Sequence, residues 1–136
     1  GMRIGYALGS ETLIATLEAV KNSYNSYTMD ALALAVGEAS VKEEVYFQDT
    51  CRKVIATRER TAEELRALGF TVLPSLTNFL FVTHPKKDAS VIFEYLRQKN
   101  IFIRYFKLPR IENYLRITVG TNGQMDKLIG ALKEFL

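Results

Sequence analysis

Apolar residues recur by threes, fours and sevens across residues 42–68. Phe47, Cys51, Val54, Ile55, Ala62, Leu65 and Leu68 form one stripe, which predicts a long amphipathic helix. Arg58 falls on the same stripe. A long cationic side chain there is expected to snorkel toward water rather than hold a ligand. Gly69 follows as a natural left-handed terminator. The pattern then becomes that of strands. Residues 70–73 and 78–83 read as strands separated by a Pro-Ser turn. Asp88 can cap a helix over 89–99, with Ile92, Tyr95 and Leu96 facing inward. Residues 101–105 and 114–119 read as two more strands, joined by a loop containing Pro109. Thr121 and Gln124 have capping-box spacing ahead of a last helix, which should bury Met125, Leu128, Ile129, Leu132 and Leu136.

From residue 70 onward the order is therefore β-β-α-β-β-α, led in by the long helix. This predicts an α+β unit with helices on one face of a mainly antiparallel sheet. Residues 1–40 read differently. A short strand over 2–8 is followed by a helix over 11–21, which Ser10 can cap, with Glu11 favourable in the first turn. A polar and aromatic loop occupies 22–27, and a second helix runs from near Thr28 to about Ser40. That first strand has no local partner, and an unpaired strand leaves backbone groups open. The chain reads as though it began in the middle of a domain.

Composition changes this picture little. A hydrophobic content of 48% over 136 residues argues for one folded domain or part of a larger one, and against disorder. No apolar run is long enough to span a membrane, and no secretory signal is visible at the amino terminus. The single cysteine, Cys51, cannot close an internal disulfide, so a cytoplasmic setting is expected. The net charge of +3 and pI near 9.0 raise nucleic acid as a partner. The bases are interspersed with acids, as in Lys42-Glu43-Glu44 and Arg58-Glu59-Arg60, and no basic stripe with interleaved aromatics appears. No nucleic acid and no membrane partner is therefore expected.

Few residues offer chemistry. His84, the only histidine, precedes Pro85 at a strand end and reads as an exposed turn residue. Cys51 reads as a core residue of the long helix, with no base nearby to activate it. No metal-ligand pattern and no phosphate-cradling glycine loop is present. The arginines remain. Arg116 centres the strand Tyr114–Val119, where Leu115, Ile117 and Val119 make the apolar face and Tyr114, Arg116 and Thr118 the other. Arg104 follows the apolar Ile101-Phe102-Ile103, and Arg3 precedes Gly5 near the amino terminus. A guanidinium matches carboxylate and phosphate with a rigid fork of donors. From pattern alone, each arginine either holds an anion or simply lies on the wet face of the sheet.

Three segments carry a resemblance. Gly1-Met2-Arg3-Ile4-Gly5-Tyr6 resembles the stretch just after the cofactor lysine of fold-type I pyridoxal-phosphate aminotransferases. Thr77-Asn78-Phe79-Leu80-Phe81-Val82 resembles the Asn-Phe strand of their small domain. Tyr114-Leu115-Arg116-Ile117-Thr118-Val119-Gly120-Thr121 resembles their substrate-carboxylate strand. Together and in this order they are most similar to histidinol-phosphate aminotransferases, and the resemblance covers the whole chain. It implies that residues 1–40 are a remnant of the large α/β cofactor-binding domain, 41–69 a linking helix and 70–136 the carboxy-terminal small domain.

The resemblance also implies roles. Arg3 matches the arginine on the cofactor phosphate, and Arg116 the arginine on the α-carboxylate of the amino acid. Arg104 matches an arginine on the phosphate of histidinol phosphate, or on the second carboxylate when glutamate is bound. The implied reaction moves an amino group between glutamate and imidazole-acetol phosphate, in histidine biosynthesis, with pyridoxal phosphate as cofactor. The lysine that would hold the cofactor lies upstream of Gly1 in that pattern, and neither Lys21, Lys42 nor Lys53 follows the motif. No catalytic residue is therefore assigned, the 136 residues alone are expected to be inactive, and no covalently bound cofactor is expected. Two alternatives stand beside this reading. One is part of another pyridoxal-phosphate enzyme, such as a threonine-phosphate decarboxylase. The other is a free-standing module that uses Arg104 and Arg116 for an anionic amino acid. Apolar faces in 1–40 would also favour a homo-oligomer, with segment exchange among its routes.

Overall fold

The structure, a computed structural model, describes residues 3–136. Gly1 and Met2, the start of the first resembling segment, lie outside the described residues. The chain divides into two units, 1–48 and 49–136.

In the first unit, residues 3–10 take no regular structure, so the strand expected over 2–8 does not form across its described residues, 3–8. The reason is the one visible in sequence: among the described residues, the first unit holds no other strand to pair with it. Helix α1 spans Glu11–Tyr24, with Ser10 at the N-cap position but making no side-chain cap bond. Helix α2 spans Ala31–Lys42 and starts three residues later than expected, because the Asp30 carboxylate accepts from the Ala33 N–H at 2.7 Å. Ala33 is the buried residue of α2, and α1 buries none. Leu13, Leu17, Val20, Leu32 and Leu34 are all exposed.

Helix α3 spans Glu44–Ala67 and runs through the division between the units. It ends as its sequence dictates. Gly69 takes φ +87°, the Gly69 N–H donates to Arg66 O at 2.9 Å, and the Phe70 N–H reaches back to Leu65 O at 3.0 Å. These are the two bonds of a Schellman motif.

The second unit then follows the expected order: β1 (Thr71–Val72), β2 (Phe79–Thr83), α4 (Ala89–Gln98), β3 (Arg104–Tyr105), β4 (Leu115–Thr118) and α5 (Asn122–Phe135). The edge strands β1 and β3 are shorter than the 70–73 and 101–105 expected, because each has a pairing partner on one side alone. The sheet order is β1-β2-β4-β3, with every pair antiparallel. One face is dry. Leu80, Val82, Leu115 and Ile117 from the sheet pack with Ala62 and Leu65 of α3, Ile92 and Leu96 of α4, and Met125, Leu128 and Leu132 of α5. The capping box forms in full at Thr121 and Gln124. Leu136 departs from expectation: it lies past the last helical residue and is exposed. Asp88 makes no side-chain cap bond; instead Asn113 Oδ1 accepts from the first N–H of α4, on Ala89, at 2.9 Å.

Candidate anion-binding site

Alternation along β4 sends Leu115 and Ile117 into the core and turns Arg116 to the open face of the sheet. Register supplies its company. Phe81 stands opposite Arg116 on β2, and Arg104 stands opposite it on β3. Cross-strand partners share a face, so both arginines point to the same side. The Arg116 guanidinium carbon lies 5.1 Å from the ring centre of Phe79 and 5.6 Å from that of Phe106. The Arg104 guanidinium lies 5.7 Å from the same Phe106 ring. Phe81 stacks on Tyr114 at 4.7 Å and meets Phe106 edge-on at 6.5 Å. The site is therefore a floor of four aromatic rings carrying two cations.

Its electrostatics are unbalanced. Among the described residues, the ion pairs join Arg58, Arg60, Arg97, Lys99 and other cations to acids, and none involves Arg104 or Arg116. Two like charges directly opposite in a sheet repel. The rings offset part of this through cation–π attraction, worth ~0.5–1 kcal/mol at an exposed site. Arg116 Nε is shut off from water and meets no acceptor. A buried donor left unpaired costs roughly 1–3 kcal/mol. A carboxylate or phosphate laid on this face would relieve the repulsion and give the guanidiniums their acceptors.

The structure thus brings Arg104 and Arg116 together. Arg3 belongs to the other unit, where it is exposed at φ +60°, and a Cβ at Gly5 would meet open space.

Three other expectations change. His84 is not exposed but buried at 8%: its ring meets Phe70 edge-on at 5.0 Å, and its Nδ1 accepts from the Lys86 N–H at 3.2 Å. Pro85 holds His84 extended, but the following turn folds the imidazole back under the end of α3. Cys51 is half-buried rather than in the core. Arg58 does not snorkel. It is 5% exposed and donates to the Thr77 carbonyl at 3.1 Å, because α3 presents it to the β1–β2 loop instead of to solvent. Among the described residues, no group of three or more acidic, cysteine or histidine side chains could hold a metal ion. No helix among them is long and apolar enough to cross a membrane.

Sequence reasoning did not single out Phe79, Phe81 and Phe106 as part of the site. The signal was present: Phe79 and Phe81 alternate with the core-facing Leu80 and Val82, and two successive outward aromatics are unusual company for a wet face.

Known proteins resemble this chain in sequence and in fold. The family model for aminotransferase class I and II matches residues 1–132. Histidinol-phosphate aminotransferase 1 of Bordetella parapertussis is 52% identical over 134 residues, 98% of this chain and 38% of that protein. Histidinol-phosphate aminotransferase of Acinetobacter baylyi is 51% identical over 136 residues, 100% of this chain and 38% of that protein. The crystal structure of histidinol-phosphate aminotransferase from Sinorhizobium meliloti, in complex with pyridoxal-5'-phosphate, superposes with a TM-score of 0.77 at 25% identity, over 90% of this chain and 35% of that one. The chain spans 38% of the length of the two curated relatives. A family model over 132 of the 136 residues, and relatives about half identical along the whole chain, show that the chain belongs to the class I and II aminotransferases.

Proposed function

We propose that the whole protein carrying these residues transfers an amino group between glutamate and imidazole-acetol phosphate, using pyridoxal phosphate. This chain would supply its anion-holding arms. The observation that supports this most is the unneutralised Arg104–Arg116 pair over aromatic rings, with Arg116 Nε unpartnered. Arg116 would hold the α-carboxylate by its fork of donors and so orient the amino acid. Arg104 would hold the phosphate of histidinol phosphate, or the distal carboxylate of glutamate. Arg3 would hold the phosphate of the cofactor. The cofactor, when bound, supplies an electron sink. The aromatic floor would hold both guanidiniums in place by cation–π contact, ready for an anion from the open side.

No lysine of this chain stands in the motif that would attach the cofactor, so the 136 residues alone would not transaminate. Two measurements test the reading. The full-length protein should convert histidinol phosphate and 2-oxoglutarate to glutamate; no turnover would refute the proposed reaction. The 136-residue chain, treated with pyridoxal phosphate and then borohydride, should carry no stoichiometric pyridoxyl-lysine; a stoichiometric adduct with turnover would refute its inactivity.

The exposed Leu13, Leu17, Val20 and Leu32 further support self-association of the chain. Sedimentation should show a dimer or larger species, and a clean monomer at high concentration would contradict it.

A further inference from the structure

We infer that Arg58 is a positioning residue for Arg116, acting through the start of β2. The inference rests on the reading of Arg116 as the carboxylate-holding residue. Arg58 lies on α3 with its guanidinium withdrawn from water. Nε and Nη2 both donate to Glu59 Oε1, at 3.0 and 2.7 Å. That leaves Nη1 to donate to the Thr77 carbonyl at 3.1 Å. The segment after Thr77 leads directly to the site. Asn78 O accepts from the Val119 N–H at 2.9 Å, which ties the start of β2 to the end of β4. Phe79 then pairs with Thr118 and places its ring under the Arg116 guanidinium. A single hydrogen bond from α3 thus holds the carbonyl two residues before the ring on which Arg116 rests.

The chemistry of the position favours this role over simple packing. Withdrawing a guanidinium from water is costly, and an apolar side chain could fill the same place without that cost. What an apolar side chain could not do is hold the Thr77 carbonyl at a fixed distance and direction. The loop has bonds of its own: Ser75 Oγ donates to Phe79 O at 2.6 Å, and Ser75 Oγ and Thr77 Oγ1 are 3.1 Å apart. Those bonds shape the loop internally; the bond from Arg58 fixes it to the helix. A shifted Phe79 ring would loosen the grip of Arg116 on a bound carboxylate, an effect that falls on KM rather than on kcat.

The test has two arms. In the 15N-labelled 136-residue chain, Arg58→Met and Arg58→Lys should shift the Arg116 Nε–Hε resonance while the Ile129 and Leu132 amides of α5 stay in place. Arg58→Lys, which keeps one donor, should shift it less. In the full-length enzyme, Arg58→Met should raise KM for glutamate about tenfold with kcat changed less than about twofold, and Arg58→Lys should recover part of the loss. If Arg58→Met does not fold, Arg58→Lys carries both arms. A folded variant with an unmoved Arg116 resonance or an unchanged KM overturns the inference. A wild-type enzyme that does not transaminate, together with a shifted resonance, overturns the proposed function and leaves the positioning role standing.

Discussion

Arg104 and Arg116 stand directly opposite one another across β3 and β4, and among the described residues no carboxylate forms an ion pair with either. Like charges so placed repel one another. Arg104→Gln should therefore stabilise the isolated chain by ~0.2–1 kcal/mol in the absence of anions. Inorganic phosphate should raise the melting temperature of the wild type more than that of the variant. Thermal denaturation with and without phosphate reads both effects; equal phosphate shifts would show that the pair does not hold an anion.

Gly69 ends α3 at φ +87°, and a Cβ there would meet His84 Nε2 at 3.2 Å. Gly69→Ala should cost at least ~1–2 kcal/mol from the left-handed backbone alone. Urea denaturation measures it. Because His84 also crowds the position, His84→Ala should relieve part of the loss in the double variant, and strict additivity would contradict the contact.

Ile117, 1% exposed, is the core-facing neighbour of Arg116 on β4. Ile117→Ala should destabilise by about 2–5 kcal/mol through lost burial and an imperfectly closed cavity. The urea midpoint should fall without a change in the slope of the transition.

Lys99 and Glu134 tie the end of α4 to the end of α5 at 3.0 Å. The hydrogen bond from Lys99, then its charge, holds the Glu134 carboxyl below its usual range; the hydrogen bond to Glu134, then its charge, holds Lys99 above its own. A lowered carboxyl adds stability above its unfolded pKa, lost as pH falls through the folded one. A raised ammonium adds stability below its unfolded pKa, lost as pH rises through the folded one. The wild type should therefore lead Glu134→Gln slightly at neutral pH, and the lead should vanish at both the acid and the alkaline end. Both groups are exposed, so salt should shrink it. A difference between the two proteins that persists in acid would contradict the pair.

Much of the second unit was legible because its determinants are local. Gly69, the Thr121–Gln124 box and the alternation in β2 and β4 each specify structure from neighbouring residues alone. The strand expected over 2–8 failed because a strand needs a partner, and nothing in a local pattern supplies one. His84 and Arg58 were placed in water because polarity usually goes there; both are buried by loops that fold back on them, a tertiary event. The pairing of Arg104 with Arg116 depends on strand register across an intervening loop, so the two were legible as candidates and not as neighbours.

The central claim is that Arg116 holds the α-carboxylate, and its most direct measurement is kcat/KM for glutamate in the full-length enzyme carrying Arg116→Gln. Removing one side of a desolvated charge pair should lower it about a hundredfold or more, with cofactor binding and folding intact. A folded Arg116→Gln enzyme with the kcat/KM of the wild type would contradict the account.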